Sequence, residues 1–232
     1  MATNEGIHIF YHITQLNDWE MMVQEQIHAM CVSGLVHACE GFHVGINGNI
    51  PTRILPRKAQ VTYHDQSEWG DEAPTMRMIR SFCENNEKKK VLYIPTKGVS
   101  RRNIRDNSWR LYMEYFCVHQ WRQCVDDLNT HDCAGSLWVS ENQIPVYPGS
   151  RPPSETHYPP HFSGTFWWAT SDYVRRLDHA LLDMKTHPDR LDREFWIGSG
   201  KPLVKVYKKD CSPEYGGWFH GTNLLLSEDY TA

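Results

Sequence analysis

Apolar and polar residues alternate from Gly6 to Ile13, where Ile7, Ile9, Tyr11 and Ile13 share one side of an extended chain and predict an opening strand. The period then changes. Trp19, Met22, Val23, Ile27 and Met30 recur at helical spacing, Asn17 stands three residues before Glu20 as in a capping box, and Gly34 can end the helix. Phe42 to Ile46 reads as a second strand leading into a turn at Asn47-Gly48-Asn49, and Ala59 to His64 as a third. A helix over Thr75 to Glu84 precedes the compact apolar strand Val91 to Ile94, which stops at Pro95-Thr96-Lys97-Gly98. Trp109, Tyr112, Met113, Phe116, Trp121, Cys124, Val125 and Leu128 form one stripe and predict a helix from Ser108 to Leu128. A strand from Ala134 to Val139 follows, then a Pro-rich loop from Ile144 to Pro160, an aromatic run from Phe162 to Ala169, a helix capped by Ser171 through Met184, and a last strand from Leu203 to Tyr207. No repeat is visible. The order is that of a mixed α/β fold with helices flanking a sheet, and in such sheets ligands lie at the carboxyl ends of strands. The loops after Ile13, Ile94 and Val139 are therefore the places to look for a site.

Composition narrows the class. The 232 residues are 40% hydrophobic and 22% charged, which fits one globular domain over 1–232 with an irregular tail from about residue 208. A formal net charge of −4 supplies no basic excess for the phosphates of a nucleic acid, so nucleic acid is not an expected partner. The start lacks the basic and apolar regions of a signal peptide, and no apolar run reaches the roughly 20 residues that span a bilayer. Seven irregularly spaced Cys read as reduced thiols in a cytoplasmic protein without a transmembrane segment.

Three constellations carry candidate chemistry. Thr96-Lys97-Gly98 directly follows a strand, so Thr96 and Lys97 can donate to a phosphate that Gly98 lets approach, and Arg101, Arg102 and Arg105 make the neighbourhood positive. The competing reading is a solvated basic loop. His161-Phe162-Ser163-Gly164-Thr165-Phe166-Trp167-Trp168-Ala169 could offer a ring platform for a sugar, with His161 and Ser163 as polar handles, or could be a core strand with a buried Trp pair. Asp192-Arg193-Glu194-Phe195-Trp196 could hold a general base flanked by aromatics, or an exposed helix start whose acids favour the dipole. His and Cys occur without any C-x-x-C or pair of pairs at zinc spacing, so core thiols and ordinary His are the better reading. The nucleophile elbow and G-x-G-x-x-G patterns are absent.

The blocks Val91-Leu92-Tyr93-Ile94-Pro95-Thr96-Lys97-Gly98-Val99-Ser100, Trp109-Arg110-Leu111-Tyr112-Met113-Glu114-Tyr115-Phe116, His161 to Ala169 and Glu194 to Ile197, in that order, resemble a family of small glycosyltransferases of large algal viruses, bacteria and algae. That family's pattern reads LYxHTKGVS, WRxYMEYF, HFSGNFWWA and EFWI. A more distant likeness is to rhamnan-synthesis glycosyltransferases. The resemblance spans about Ile7 to Gly198 and implies a single GT-A-like, Rossmann-like domain with a mixed, mostly parallel sheet. It implies transfer of a hexosyl, pentosyl or deoxyhexosyl group from a UDP- or GDP-type nucleotide sugar to a hydroxyl of a glycan or glycoprotein. On this resemblance, Tyr11, His12 and Thr14 lie at the nucleotide, and Thr96, Lys97, Gly98, Arg101 and Arg102 at the diphosphate. His161, Ser163, Gly164, Trp167 and Trp168 then line the sugar or acceptor pocket. Glu194, with Asp192 second, is the base of an inverting transfer. Two departures matter: Pro95 stands where the family has His, and Thr165 where it has Asn. No two Asp are separated by one residue, so the D-x-D that holds a metal in GT-A enzymes is missing. A metal-free site in which Lys97 neutralises the diphosphate and a site with Mn²⁺ or Mg²⁺ held by one Asp and the diphosphate both stay open.

Two other classes compete. A nucleotidyltransferase needs clustered carboxylates for two metals, which the sequence does not display. A non-catalytic carbohydrate- or nucleotide-sugar-binding domain fits the aromatic content, and is distinguished by the absence of transfer or donor hydrolysis.

Overall fold

A computed structural model describes residues 6–68, 70–99, 104–140 and 160–207, with 104 and 105 as backbone only. The strands are β1 (Ile7–Thr14), β2 (Gly41–Asn47), β3 (Ala59–Tyr63), β4 (Lys90–Pro95), β5 (Cys133–Ser136), β6 (Trp138–Val139), β7 (His161–Phe162), β8 (Trp167–Thr170) and β9 (Val204–Tyr207). The helices are α1 (Trp19–Val32), α2 (Leu35–Ala38), α3 (Ala73–Asn85), α4 (Ile104–Glu114), α5 (Trp121–Asp127), α6 (Ser171–Val174) and α7 (Asp192–Phe195).

Seven strands form one sheet in the order β3-β2-β1-β4-β8-β5-β9, with β8 alone antiparallel to its neighbours; β6 and β7 pair as a separate ladder. Helices pack on both faces, so the class is α/β with the mostly parallel, Rossmann-like sheet that the sequence predicts. The alternation of β1 sorts its side chains. Ile7, Ile9, Tyr11 and Ile13 join a core with Val23 and Met30 of α1, Met113 of α4 and Cys124 of α5. Phe10 joins a second core with Met76, Ile79 and Cys83 of α3 and Tyr173 of α6. A strand buried on both faces is what a central parallel strand requires.

Several expectations are corrected. Asn17 does not cap α1: the N-cap is Asp18, without a side-chain cap bond, and Asn17 Nδ2 instead donates to Val99 O at 2.8 Å. The helix from Ser108 to Leu128 begins earlier, at Ile104, and is divided by a π-helical turn over Tyr115–His119, closed by Gln120 N–H donating to Tyr115 O at 3.0 Å. The physical cause is in the stripe, where Phe116 to Trp121 is a step of five. A wider turn absorbs the extra residue and keeps both halves facing the core. The strand from Ala134 to Val139 breaks at Leu137, whose φ is 61°, and its end leaves the sheet to pair with His161–Phe162. The aromatic run likewise breaks at Ser163–Thr165, where Gly164 has φ 96°. The helix from Ser171 ends at Val174. Thr170, not Ser171, is its cap, accepting from Tyr173 N–H at 3.2 Å, and Asp178 then starts a separate 3₁₀ turn by accepting from Ala180 N–H at 3.0 Å. An Asp that bonds a backbone N–H two residues on competes with helix continuation. The Pro-rich loop, apart from Pro160, and the tail after Tyr207 lie outside the described residues.

Among the described residues six Cys are free. No helix there is long and apolar enough to cross a membrane.

Candidate functional site

The sheet reverses its direction of growth at β1. The chain moves outward through β2 and β3, then returns to β4 on the other side of β1. The carboxyl ends of β1 and β4 therefore flank a topological switch point, the place where open α/β sheets hold ligands. Two bonds tie these ends together: Thr96 N–H donates to His12 O at 2.9 Å, and Thr14 N–H to Thr96 Oγ1 at 3.1 Å. Asn17, through Val99 O, anchors the loop further.

Lys97 leaves this loop toward two partners. Its Nζ is 3.7 Å from Glu194 Oε1, with both side chains 20% exposed, and 4.2 Å from the centre of the Trp109 ring. A half-buried ammonium between a carboxylate and an aromatic face is desolvated enough for its charge to matter. Trp109 also packs against the Ser163–Thr165 turn. A Cβ on Gly164 would lie 2.6 Å from Met113 Sδ and 3.1 Å from Trp109 Cε2. Together with its positive φ, that contact leaves only glycine at 164. His161 meets Phe195 edge-on, with ring centres 4.8 Å apart, which brings β7 beside α7.

Glu194 reaches this place through its neighbour. Arg193 is 1% exposed, donates to both oxygens of Asp71 at 2.9 and 3.1 Å and to His187 O at 2.8 Å, and also bonds Leu181 O at 2.5 Å. This buried fork joins α7 to the start of α3. It also brings in a carboxylate that spacing alone does not mark: Glu72, next to Asp71, accepts from Tyr93 O–H of β4 at 2.8 Å. Burial raises the carboxyl of Glu72 above its ordinary range against the opposing pull of that bond; Lys97 and Arg190 favour its ionised form and Glu194 disfavours it. Burial, and then Glu72, hold the Tyr93 hydroxyl well above its ordinary value. The available signal was an acidic pair just before Pro74, a helix N-terminus pattern, but only the contact across the fold gives it meaning.

The other predicted residues divide. His12 is buried, with Nδ1 2.7 Å from Thr75 Oγ1 and Nε2 3.1 Å from Thr14 Oγ1; His64 Nε2 lies 2.8 Å from the same Thr75 hydroxyl. Burial lowers His12 to about 3, so it is neutral. It is buried behind Thr14 and supports it. Tyr11 is buried in the core, donating to Gln26 Oε1 at 2.7 Å, so its side chain is not at the strand-end rim. Trp167 and Trp168 are both fully buried. Trp168 Nε1 donates to Cys117 O at 2.9 Å, and Trp167 packs between Tyr93 and Trp196. The ring platform is therefore a buried Trp pair. Ser163 is buried, its N–H donating to Leu137 O at 3.0 Å. Asp192 lies 3.2 Å from His187 Nδ1, a different partner from that of Glu194. Gly98 has φ 88° and packs against Asp106. Arg101 and Arg102 lie outside the described residues. Among the described residues no three His, Cys, Asp or Glu converge as a metal site. The strand end offers Pro95-Thr96-Lys97, with no carboxylate among these three residues.

A search of curated protein sequences finds no match. Among solved structures, the chain is similar to the bifunctional IspDF from Campylobacter jejuni, with a TM-score of 0.45 and 7% identity over 88% of this chain and 50% of that one, so it spans half of that enzyme's length. It is similar to 2-C-methyl-D-erythritol 4-phosphate cytidylyltransferase from Thermus thermophilus (TM-score 0.43, 10% identity, 88% of each chain). It is also similar to glucosyl-3-phosphoglycerate synthase from Mycobacterium tuberculosis, solved with Mn²⁺, UDP and phosphoglyceric acid (TM-score 0.42, 13% identity, 92% of this chain and 74% of that one). The model of a family described as a domain of unknown function, DUF8361, matches residues 10–185, well over half of the sequence. The chain belongs to the DUF8361 family.

Proposed function

We propose that this protein is a glycosyltransferase that moves a sugar from a UDP- or GDP-type nucleotide sugar to a hydroxyl of a glycan or glycoprotein, with inversion at the transferred carbon. The observation that carries the reading is the contact of Lys97 with Glu194, 3.7 Å apart beside the switch point of the sheet. An ammonium suited to a leaving diphosphate and a carboxylate suited to a hydroxyl proton stand together where an α/β sheet binds its ligand. The resemblance of the blocks around Lys97, Trp109, His161 and Glu194 to small glycosyltransferases supports the same reading.

The residues then act as follows. The donor's diphosphate draws the Lys97 ammonium away from Glu194, which frees the carboxylate. The acceptor oxygen attacks the anomeric carbon as the bond to the diphosphate oxygen breaks on the opposite face. Glu194 takes the hydroxyl proton, and Lys97 neutralises charge on the departing nucleoside diphosphate. Thr14 and Thr96, held by His12 and by each other, fix the floor of the phosphate loop. A single displacement inverts the carbon.

A thermal-shift panel of nucleoside diphosphates and nucleotide sugars, each with and without Mn²⁺ and Mg²⁺, tests the reading. A ligand at about 100 times its Kd adds ~2.7 kcal/mol of stability. With a donor in hand, Glu194→Gln is expected to lower turnover by about 10²- to 10⁴-fold with nucleotide binding nearly intact. Lys97→Ala is expected to weaken binding by about 10- to 100-fold, through loss of a charge-assisted contact. No shift with any nucleotide, or equal loss of binding and turnover in Glu194→Gln, refutes the assignment.

A further inference from the structure

A chain of four side chains runs from the edge of the sheet to the switch point. His64, just past β3, places Nε2 2.8 Å from Thr75 Oγ1 of α3. The same oxygen lies 2.7 Å from His12 Nδ1 of β1, and His12 Nε2 lies 3.1 Å from Thr14 Oγ1 at the strand end. Space for the junction comes from Gly45 of β2, where a Cβ would stand 2.0 Å from Thr75 Oγ1 and 2.4 Å from His64 Nε2. Thr75 and His12 are buried and Thr14 is 6% exposed, so the chain is closed to water along its length and meets the site at Thr14.

Resting on the reading above, we propose that Thr14 binds the ligand, its hydroxyl donating to the diphosphate of the nucleotide sugar, and that His64 and Thr75 are positioning residues that, through His12, hold the hydroxyl hydrogen in that direction.

Counting hydrogens along the chain leaves two arrangements. His12 is buried between two hydroxyls and makes no ion pair among the described residues, so it is neutral and carries one ring hydrogen. Thr75 Oγ1 has one hydrogen for two ring nitrogens and no third partner among the described residues. One of those nitrogens therefore donates and the other accepts. In the first order His64 Nε2–H donates to Thr75, Thr75 O–H to His12 Nδ1, and His12 Nε2–H to Thr14 Oγ1. The Thr14 hydrogen then points away from His12, toward whatever lies at the strand end. In the second order every bond is reversed. Thr14 O–H donates to His12, and the oxygen turns only lone pairs outward.

A phosphate oxygen accepts and does not donate, so it fits the first order and is repelled by the second. The first order also sets three donors pointing one way, and each bond polarises the next, which makes the Thr14 hydroxyl a stronger donor. The Thr14 N–H is already bonded to Thr96 Oγ1 at 3.1 Å, in the loop that carries Lys97. The hydroxyl is therefore the donor that Thr14 has to offer, and it stands beside the loop to which the reading above assigns the diphosphate. The two orders differ only in which nitrogen of each ring holds its hydrogen, so no proton is gained or lost overall.

Nitrogen NMR of the full chain with ¹⁵N-labelled histidine tests this, because ring nitrogens with and without hydrogen resonate far apart. Through-space contacts to the protons of Thr75 and Thr14 assign the two rings, and spectra are recorded free and saturated with UDP-glucose or GDP-mannose. In the complex, Nε2 of both His12 and His64 is expected to carry hydrogen and His12 Nδ1 to be bare. A network that only holds the fold does not require this order. Thr14→Val is expected to weaken binding of the probe about 10- to 100-fold, through loss of a donor to a charged group, and Thr14→Ser to restore it. Hydrogen on His12 Nδ1 or a bare His64 Nε2 in the complex overturns the proposal, as does wild-type affinity in Thr14→Val. These outcomes leave nucleotide-sugar binding intact. Should Thr14→Val fail to fold, the wild-type spectra decide. Binding of neither probe overturns the nucleotide-sugar reading and this proposal with it.

Discussion

Arg193→Met tests whether one buried ion pair builds the site. The Arg193 and Asp71 side chains are 1% and 8% exposed, and the guanidinium is bonded to Asp71 twice and to the carbonyls of Leu181 and His187. Methionine keeps most of the stem but leaves the Asp71 carboxylate with the Ala73 N–H, at 2.8 Å, as its remaining short bond. Removing one partner of a buried pair strands a charge and costs about 3–5 kcal/mol. In a chain of 232 residues each kcal/mol moves Tm by roughly 2–4 °C, so a fall of about 6–20 °C is expected. The double variant Asp71→Leu with Arg193→Met removes both charges and is expected to recover most of the loss. It should fall short of wild type by about 1 kcal/mol, because the bond from Ala73 N–H to Asp71 is gone. Urea denaturation of wild type, both single variants and the double variant gives the cycle directly. A loss under 1 kcal/mol for Arg193→Met, or a double variant as unstable as the sum of the singles, would show that the fork does not hold α7 to α3.

Two further perturbations probe the polar chain behind the strand ends. A Cβ at Gly45 would stand 2.0 Å from Thr75 Oγ1 and 2.4 Å from His64 Nε2. Gly45→Ala is therefore expected to cost about 1–3 kcal/mol in urea denaturation, and a change under 0.5 kcal/mol would contradict the contact. Acid sensitivity follows from His12, lowered from 6.5 to about 3 by burial first, then by His64 and Arg190. Its folded value lies below its unfolded value, so the unfolded chain binds more protons between them and stability falls as pH drops through that window. From pH 6.5 to 4.5 His12 alone removes about 2 kcal/mol. His12→Asn is expected to flatten that fall, and identical falls in both proteins would count against the assignment.

The strands and the class of fold were legible because central strands carry their signal locally: Ile7, Ile9, Tyr11 and Ile13 are on one face whatever packs against them. The loop after β4 was legible for the same reason, since Thr96-Lys97-Gly98 ends a strand that is apolar throughout. What failed did so at places where one backbone angle decides. Leu137 at φ 61° and Thr165 at φ 67° turn the chain although neither residue type favours that region, and nothing in an apolar run marks them. The aromatic block was ambiguous because buried Trp and ligand-facing Trp share one pattern. The bonds of Trp168 to Cys117 O and the packing of Trp167 between Tyr93 and Trp196 decide it for the core. Part of the WRxYMEYF-like block is architecture as well: Arg110, 1% exposed, bonds Glu114 at 2.7 Å and Glu25 at 2.6 Å.

The candidate site was half visible for a related reason. Lys97 and Glu194 stood out as a charged residue after a strand and an acid at a helix start, patterns that local chemistry explains. Glu72 did not, because its placement follows from a contact spanning 122 residues between Asp71 and Arg193. That contact has an economy of its own. A bidentate fork fixes direction as well as distance, and it fixes the backbone at Asp71 and Arg193 together. Whatever follows each residue is then carried to a set place. Here the followers are Glu72, which accepts from Tyr93 O–H, and Glu194, 3.7 Å from Lys97, so one ion pair fixes the backbone beneath both carboxyls. An acid at either position alone would be a helix-terminal charge; the residues before them, buried against each other, hold the two helix starts together.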